Sequence, residues 1–171
     1  MKRVMLNKKG FTLIEIVVVL LLVGLVTAVV GLSVVKMVNN FFFARTNADT
    51  LLKGQIAMAR MVKELNNVRI VSAASATSIT FTSYRDANTR TISWGGSGTN
   101  LLLNSDTLTD DVDDFSLAYY DTFDGAAQTT WADTRRMIEI TLSVKGAENT
   151  ISTFNARVAP SFDVLPPPEG T

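Results

Sequence analysis

The sequence has no cysteine and no histidine, and its four prolines all fall at or beyond residue 160. Without cysteine there is no disulfide framework, no thiolate nucleophile and no zinc-finger spacing. Without histidine there is no Ser-His-Asp triad, no imidazole metal site and no side chain that titrates near neutrality. Charge of one sign is also missing. There are 16 Lys+Arg against 16 Asp+Glu in 171 residues, which argues against a nucleic-acid binder driven by overall charge. The length suits one domain and little more.

What is present is unevenly spread. Residues 11–40 hold 21 hydrophobic residues out of 30, and residues 41–171 hold 55 out of 131. From 1 to 69 there are 10 basic and 3 acidic residues; from 70 to 171 there are 6 basic and 13 acidic. A chain polarised in this way has two ends that meet different surroundings.

Ile16 to Val35 is a run of 20 residues without a charge, closed by Lys36. As a helix it is about 30 Å long, enough to cross a bilayer core. Its Val content would suit a buried strand, but strands rarely run past about 10 residues. Lys2, Arg3, Lys8 and Lys9 precede it without any acid, which places residues 1–10 in the cytoplasm and the rest across the membrane. Two simpler readings compete. One is a secretory signal cleaved after Val26-Thr27-Ala28, against which the apolar run is too long and continues past Ala28. The other is a plain anchor. Neither accounts for Glu15, a carboxylate at the head of the apolar segment that would need a partner.

The string Lys8-Lys9-Gly10-Phe11-Thr12-Leu13-Ile14-Glu15-Ile16 resembles the class III signal of type IV pilins and type II secretion pseudopilins. The resemblance implies that a prepilin peptidase of the inner membrane cuts between Gly10 and Phe11 and methylates the new amino terminus at Phe11. It also implies that the Glu15 carboxylate faces the cationic N-terminus of a neighbouring subunit, or of its own chain, and sets register in a filament. Gly10, lacking a side chain, lets a protease approach the backbone closely.

Beyond Val35 the sequence predicts that the helix continues to about residue 68. No proline interrupts it, and Phe41, Ala44, Ala48, Leu51, Met58, Val62 and Leu65 recur at three- and four-residue steps. Gly54 reads as a point of flexibility. Alternation then predicts about six strands: Ser78 to Tyr84, Thr89 to Trp94, Asn100 to Asn104, and runs around Phe115–Tyr119, Ile138–Val144 and Phe154–Val158. The expected class is α+β, a long N-terminal helix packed on an antiparallel sheet. The expected divisions are a cleaved leader at 1–10, a transmembrane or filament-core helix at 11–40, an amphipathic helix at 41–68, a sheet domain at 69–159 and a Pro-rich tail at 160–171.

The order of Arg60–Leu65, Leu108–Val112, Phe115–Asp121, Arg136–Leu142 and Phe154–Val158 looks like the W-type minor pilins and J-type minor pseudopilins. That likeness implies a subunit that initiates or caps a pilus or pseudopilus, with no enzymatic turnover. Its partners would be the peptidase, other minor and major subunits, the inner-membrane assembly platform and, before assembly, lipid. Its sheet domain would be periplasmic. The alternative is a membrane-anchored tip module that binds DNA, a surface or a secreted substrate.

Asp110, Asp111, Asp113 and Asp114, with Asp121 and Asp124, are the candidate ligands for calcium, which takes several oxygen donors. The spacing is not that of an EF-hand, and a solvated loop guarding an edge strand is the simpler reading. No other cofactor is expected. Gly95-Gly96-Ser97-Gly98 fits neither a P-loop nor a nucleophile elbow. Trp94 and Trp131 read as core aromatics. Arg135-Arg136 is a small basic patch in an acidic region, which argues against strong nucleic-acid binding. No catalytic set is positioned by the sequence.

Overall fold

A computed structural model describes residues 10–160. The leader residues Lys2, Arg3, Lys8 and Lys9 and the tail from Ser161 onward lie outside the described residues. One helix, α1, runs from Leu13 to Asn66. It is followed by strands β1 (Val68–Ala74), β2 (Ser78–Ser83), β3 (Thr89–Trp94), β4 (Leu101–Leu103), β5 (Asp106–Thr109), β6 (Val112–Tyr120), β7 (Met137–Lys145) and β8 (Ile151–Val158). The chain divides after Ala44 into two compact units.

The first unit contains the apolar part of α1. Its side chains are exposed along the whole length. Thr27 and Ser33, the hydroxyl residues within this stretch, donate to the carbonyls of Val23 at 2.7 Å and Val29 at 3.0 Å. Each hydroxyl is thus satisfied within the helix, which is what an apolar surrounding demands.

The second unit, from Arg45, holds the rest of α1 and all eight strands. Every strand pairing is antiparallel. β1 to β5 form a five-stranded meander and β6 to β8 a three-stranded one. This is the expected α+β class, with eight strands in two sheets among the described residues rather than about six in one. β1 escapes sequence reading because its register shifts between Val68 and Ile70 and again between Val71 and Ala73. Those irregularities break the two-residue period on which a strand is recognised. β5 is four residues long, too short to show a period.

The core is built by alternation. Ile79 and Phe81 from β2, Phe115, Leu117 and Tyr119 from β6, and Ile138, Ile140, Leu142 and Val144 from β7 are buried. They meet Ala57, Met58, Met61 and Leu65 of α1 in one apolar cluster. The buried stripe of the helix is Thr50, Gly54, Ala57, Met58, Met61, Glu64 and Leu65. It shares only Met58 and Leu65 with the stripe read from the sequence, because small residues mark where strands come closest. A Cβ on Gly54 would lie 2.5 Å from the Phe154 ring on β8, so this glycine serves close approach rather than flexibility.

Polar contacts tie the helix to the sheets. Asn47 Oδ1 accepts the Ala147 amide at 2.9 Å in the turn between β7 and β8. Lys53 Nζ reaches Asp110 at 2.7 Å. Glu64, 5% exposed, is paired with Arg60 at 2.9 Å and with Arg90 of β3. A buried carboxylate needs such partners, since an unpaired one is strongly destabilising.

Candidate processing and assembly site

The head of α1 is built by local chemistry. Gly10, Phe11 and Thr12 are not helical, and the helix begins at Leu13. Thr12 is the N-cap. Its Oγ1 accepts the Glu15 amide at 3.3 Å, and its carbonyl accepts the amides of Glu15 and Ile16 at 3.1 and 3.3 Å. Thr12 and Glu15 occupy the N-cap and N3 positions of a capping-box sequence, a signal that the spacing T-x-x-E carries and that the reading of Glu15 as an assembly residue passes over. The carboxylate in the first turn also faces the positive end of the helix dipole. Glu15 therefore has a local role in starting the helix.

The geometry around the Gly10–Phe11 bond follows. Gly10 has no atom within 4 Å of where a Cβ would stand, and the Phe11 side chain is 76% exposed. The Gly10–Phe11 bond lies in non-helical backbone just ahead of the cap. A peptide that must enter a protease in extended form is accessible there.

The acidic residues do not form one constellation. Asp110 and Asp111 lie between β5 and β6, where Asp111 adopts a φ of 54° and its carbonyl accepts the Lys145 amide at 2.8 Å. Asp113 and Asp114 belong to β6 itself. Asp121 and Asp124 follow the other end of that strand. A nine-residue strand separates the two groups by about 30 Å. At the first end the hydrogen bond from Lys53 pulls the Asp110 carboxyl below the usual range, and the same bond pushes the Lys53 ammonium up. At the second end Asp121 accepts from the Thr134 hydroxyl at 2.8 Å and pairs with Arg135. Both contacts lower its pKa, the hydroxyl bond more. Among the described residues no three His, Cys, Asp or Glu side chains converge as a metal-holding group. Asp110, Asp111 and Asp113 do line an open cleft of about 460 Å³ with Thr99, Asn100 and Lys145.

The remaining sequence candidates have structural roles. Trp131 packs edge-on against Tyr119 at 5.6 Å. Tyr119 donates its hydroxyl to the Ser75 carbonyl at 2.8 Å, and burial pushes its pKa up. Trp94 is half-buried against the same core. Arg135 of the basic pair is engaged by Asp121, and Arg136 is exposed.

Residues 5–31 match the family model of the prokaryotic N-terminal methylation motif. No curated protein and no solved structure matches the chain. The chain thus carries a class III signal of the type IV pilin kind, followed by a long apolar transmembrane helix. The fold is the pilin-like α+β arrangement of a long N-terminal helix with antiparallel sheets. The motif implies processing by a prepilin peptidase and assembly with other pilin-type subunits.

Proposed function

We propose that this chain is a minor pilin-like subunit that initiates or caps a type IV pilus or type II secretion pseudopilus. One observation carries the reading: the string Lys8–Ile16 leads into a helix, Leu13–Asn66, whose first part, Ile16–Val35, carries no charge. Prepilin peptidase cleaves between Gly10 and Phe11 at the cytoplasmic face and methylates Phe11. The mature chain waits in the inner membrane with its sheet domain in the periplasm, in contact with the assembly platform. It then leaves lipid to pack with minor and major subunits. It is a structural protein with no turnover of its own.

In the filament Glu15 has its second role. The carboxylate meets the cationic N-terminus of a neighbouring subunit. In a low-dielectric helix bundle, leaving either charge unpaired costs several kcal/mol or so. That makes the pair a register device.

The absence of cysteine makes the test direct, because a single introduced cysteine can be labelled without background. Filaments sheared from cells expressing Ser105→Cys are labelled and the subunit is counted against the major one. The reading predicts far fewer copies than major subunits, and a drop in filament number when the chain is deleted. Adding Glu15→Ala leaves membrane insertion and cleavage intact and lowers incorporation. Normal incorporation of that variant would remove the role given to Glu15, and a filament number indifferent to deletion would remove the initiating role.

A further inference from the structure

The apolar surface of α1 does not stop where a bilayer core would. Ile16–Val35 is apolar on all sides and fills about 30 Å, the thickness of the hydrocarbon layer. The next two turns are different. Met37, Val38, Phe41 and Phe42 fall on one side of the helix, while Lys36, Asn39 and Asn40 fall on the opposite side. Only Phe43 breaks the pattern. The apolar four are all exposed, Met37 at 73% and Phe41 at 63%, and Phe41 and Phe42 touch edge-on at 6.0 Å. An uncovered aromatic face of this kind has an occupant.

We propose that this face beds into the outer headgroup layer of the membrane and sets the tilt of the helix before assembly. The proposal rests on the membrane-anchored reading above and names what the anchor touches beyond its core. Three observations favour lipid over a protein partner. The face is continuous with the membrane segment, with no residue between them except the snorkelling Lys36. No carboxylate repels anionic headgroups, since between Glu15 and Asp49 the sequence carries Lys36 and Arg45 and no acid. The lengths also agree. Phe41 and Phe42 lie about 10 Å beyond Val35 along the axis. The headgroup layer extends only about 5–7 Å beyond the core. An upright helix would hold both rings in water. A tilt near the usual value of about 20°, taken toward the apolar face, lowers that side of the helix toward the layer and turns the side that carries Asn39 and Asn40 toward water. The amphipathic turns therefore choose the direction of tilt.

The test uses the full chain in vesicles of phosphatidylcholine alone and of phosphatidylcholine with phosphatidylglycerol. Single-cysteine variants Val26→Cys, Asn40→Cys, Phe42→Cys and Ser105→Cys carry a nitroxide, and its collisions with oxygen and with a water-soluble nickel complex report depth. The expected result is deep burial at 26, water at 105, and nickel access at 42 several-fold lower than at 40, two residues away on the same helix. The difference grows with phosphatidylglycerol. In a chain labelled through Val38→Cys, adding Phe41→Ser and Phe42→Ser raises nickel access at 38. Equal access at 40 and 42 with burial at 26 retained would overturn the proposal and leave the anchor intact. Protection at 42 that appears only after co-assembly with other subunits would overturn it in favour of a sister helix. Water at 26 would remove the anchor itself, and the proposal with it.

Discussion

Lys53 and Asp110 hold each other charged, and the same holds for Asp121 beside Thr134 and Arg135. The sign of the resulting pH dependence is fixed. A carboxyl lowered in the fold contributes stability above its unfolded pKa, and that contribution is lost as pH falls through the folded value. An ammonium raised in the fold contributes below its unfolded pKa and loses that contribution as pH rises through the folded one. Asp110, Asp121 and Asp86 are all lowered, the last chiefly by the Asn88 amide, and Lys53 is raised. With no histidine in the chain, no side chain has an ordinary pKa near neutrality. The thermal midpoint of the detergent-solubilised chain should therefore be nearly level between about pH 5 and 9 and fall below about pH 4 and above about pH 10. Asp110→Asn should shrink the acid limb. A step in stability between pH 5 and 8 would contradict the assignment. Sequence reasoning grouped Asp110, Asp111, Asp113 and Asp114 with Asp121 and Asp124. Their separation to opposite ends of β6 depends on where that strand starts and stops, which the string of aspartates does not encode.

At the scale of elements, α1 was the most legible part of the chain. An apolar run, a clear N-terminal signal and the lack of proline all point to one helix. Its buried face was less legible. The sequence period favours large apolar residues, but the face that packs uses Thr50, Gly54 and Ala57 to admit the sheet. Gly54 makes a sharp test. Replacing glycine by alanine within a helix normally gains up to about 1 kcal/mol. Here the new methyl would meet the Phe154 ring at 2.5 Å, and overpacking of that kind costs about 1–3 kcal/mol. Gly54→Ala should thus destabilise the full chain by up to about 2 kcal/mol in chemical denaturation. In a Phe154→Ala background the same change should become neutral or stabilising, a coupling of at least about 1 kcal/mol. Additive effects would mean that the ring does not sit over this glycine. The two strands that sequence reading passed over share one lesson. Register shifts and brevity both erase period two, and pairing across the sheet restores the strand regardless.

At the scale of the whole molecule, the proposed cleavage would divide the balanced charge. Removing residues 1–10 leaves 12 basic against 16 acidic side chains, a formal −4 before the new amino terminus is counted. The composition averages a basic N-terminal stretch, an uncharged helical run and an acidic C-terminal part. The mean describes none of them. The processing signal was legible because its chemistry is local: nine residues specify the leader junction, the cap and the acid. Which neighbour covers each exposed surface is not local, and no single chain encodes it in short-range order. The central claim is that this chain is made to be cut and methylated before it assembles. Mass spectrometry of the protein extracted from membranes of a host with a prepilin peptidase tests it most directly. The account predicts a mature chain that begins at N-methylated Phe11, and an uncut precursor when Gly10 is replaced by a bulky residue. An intact N-terminus in the unaltered protein, or a chain that begins after Ala28, would contradict it.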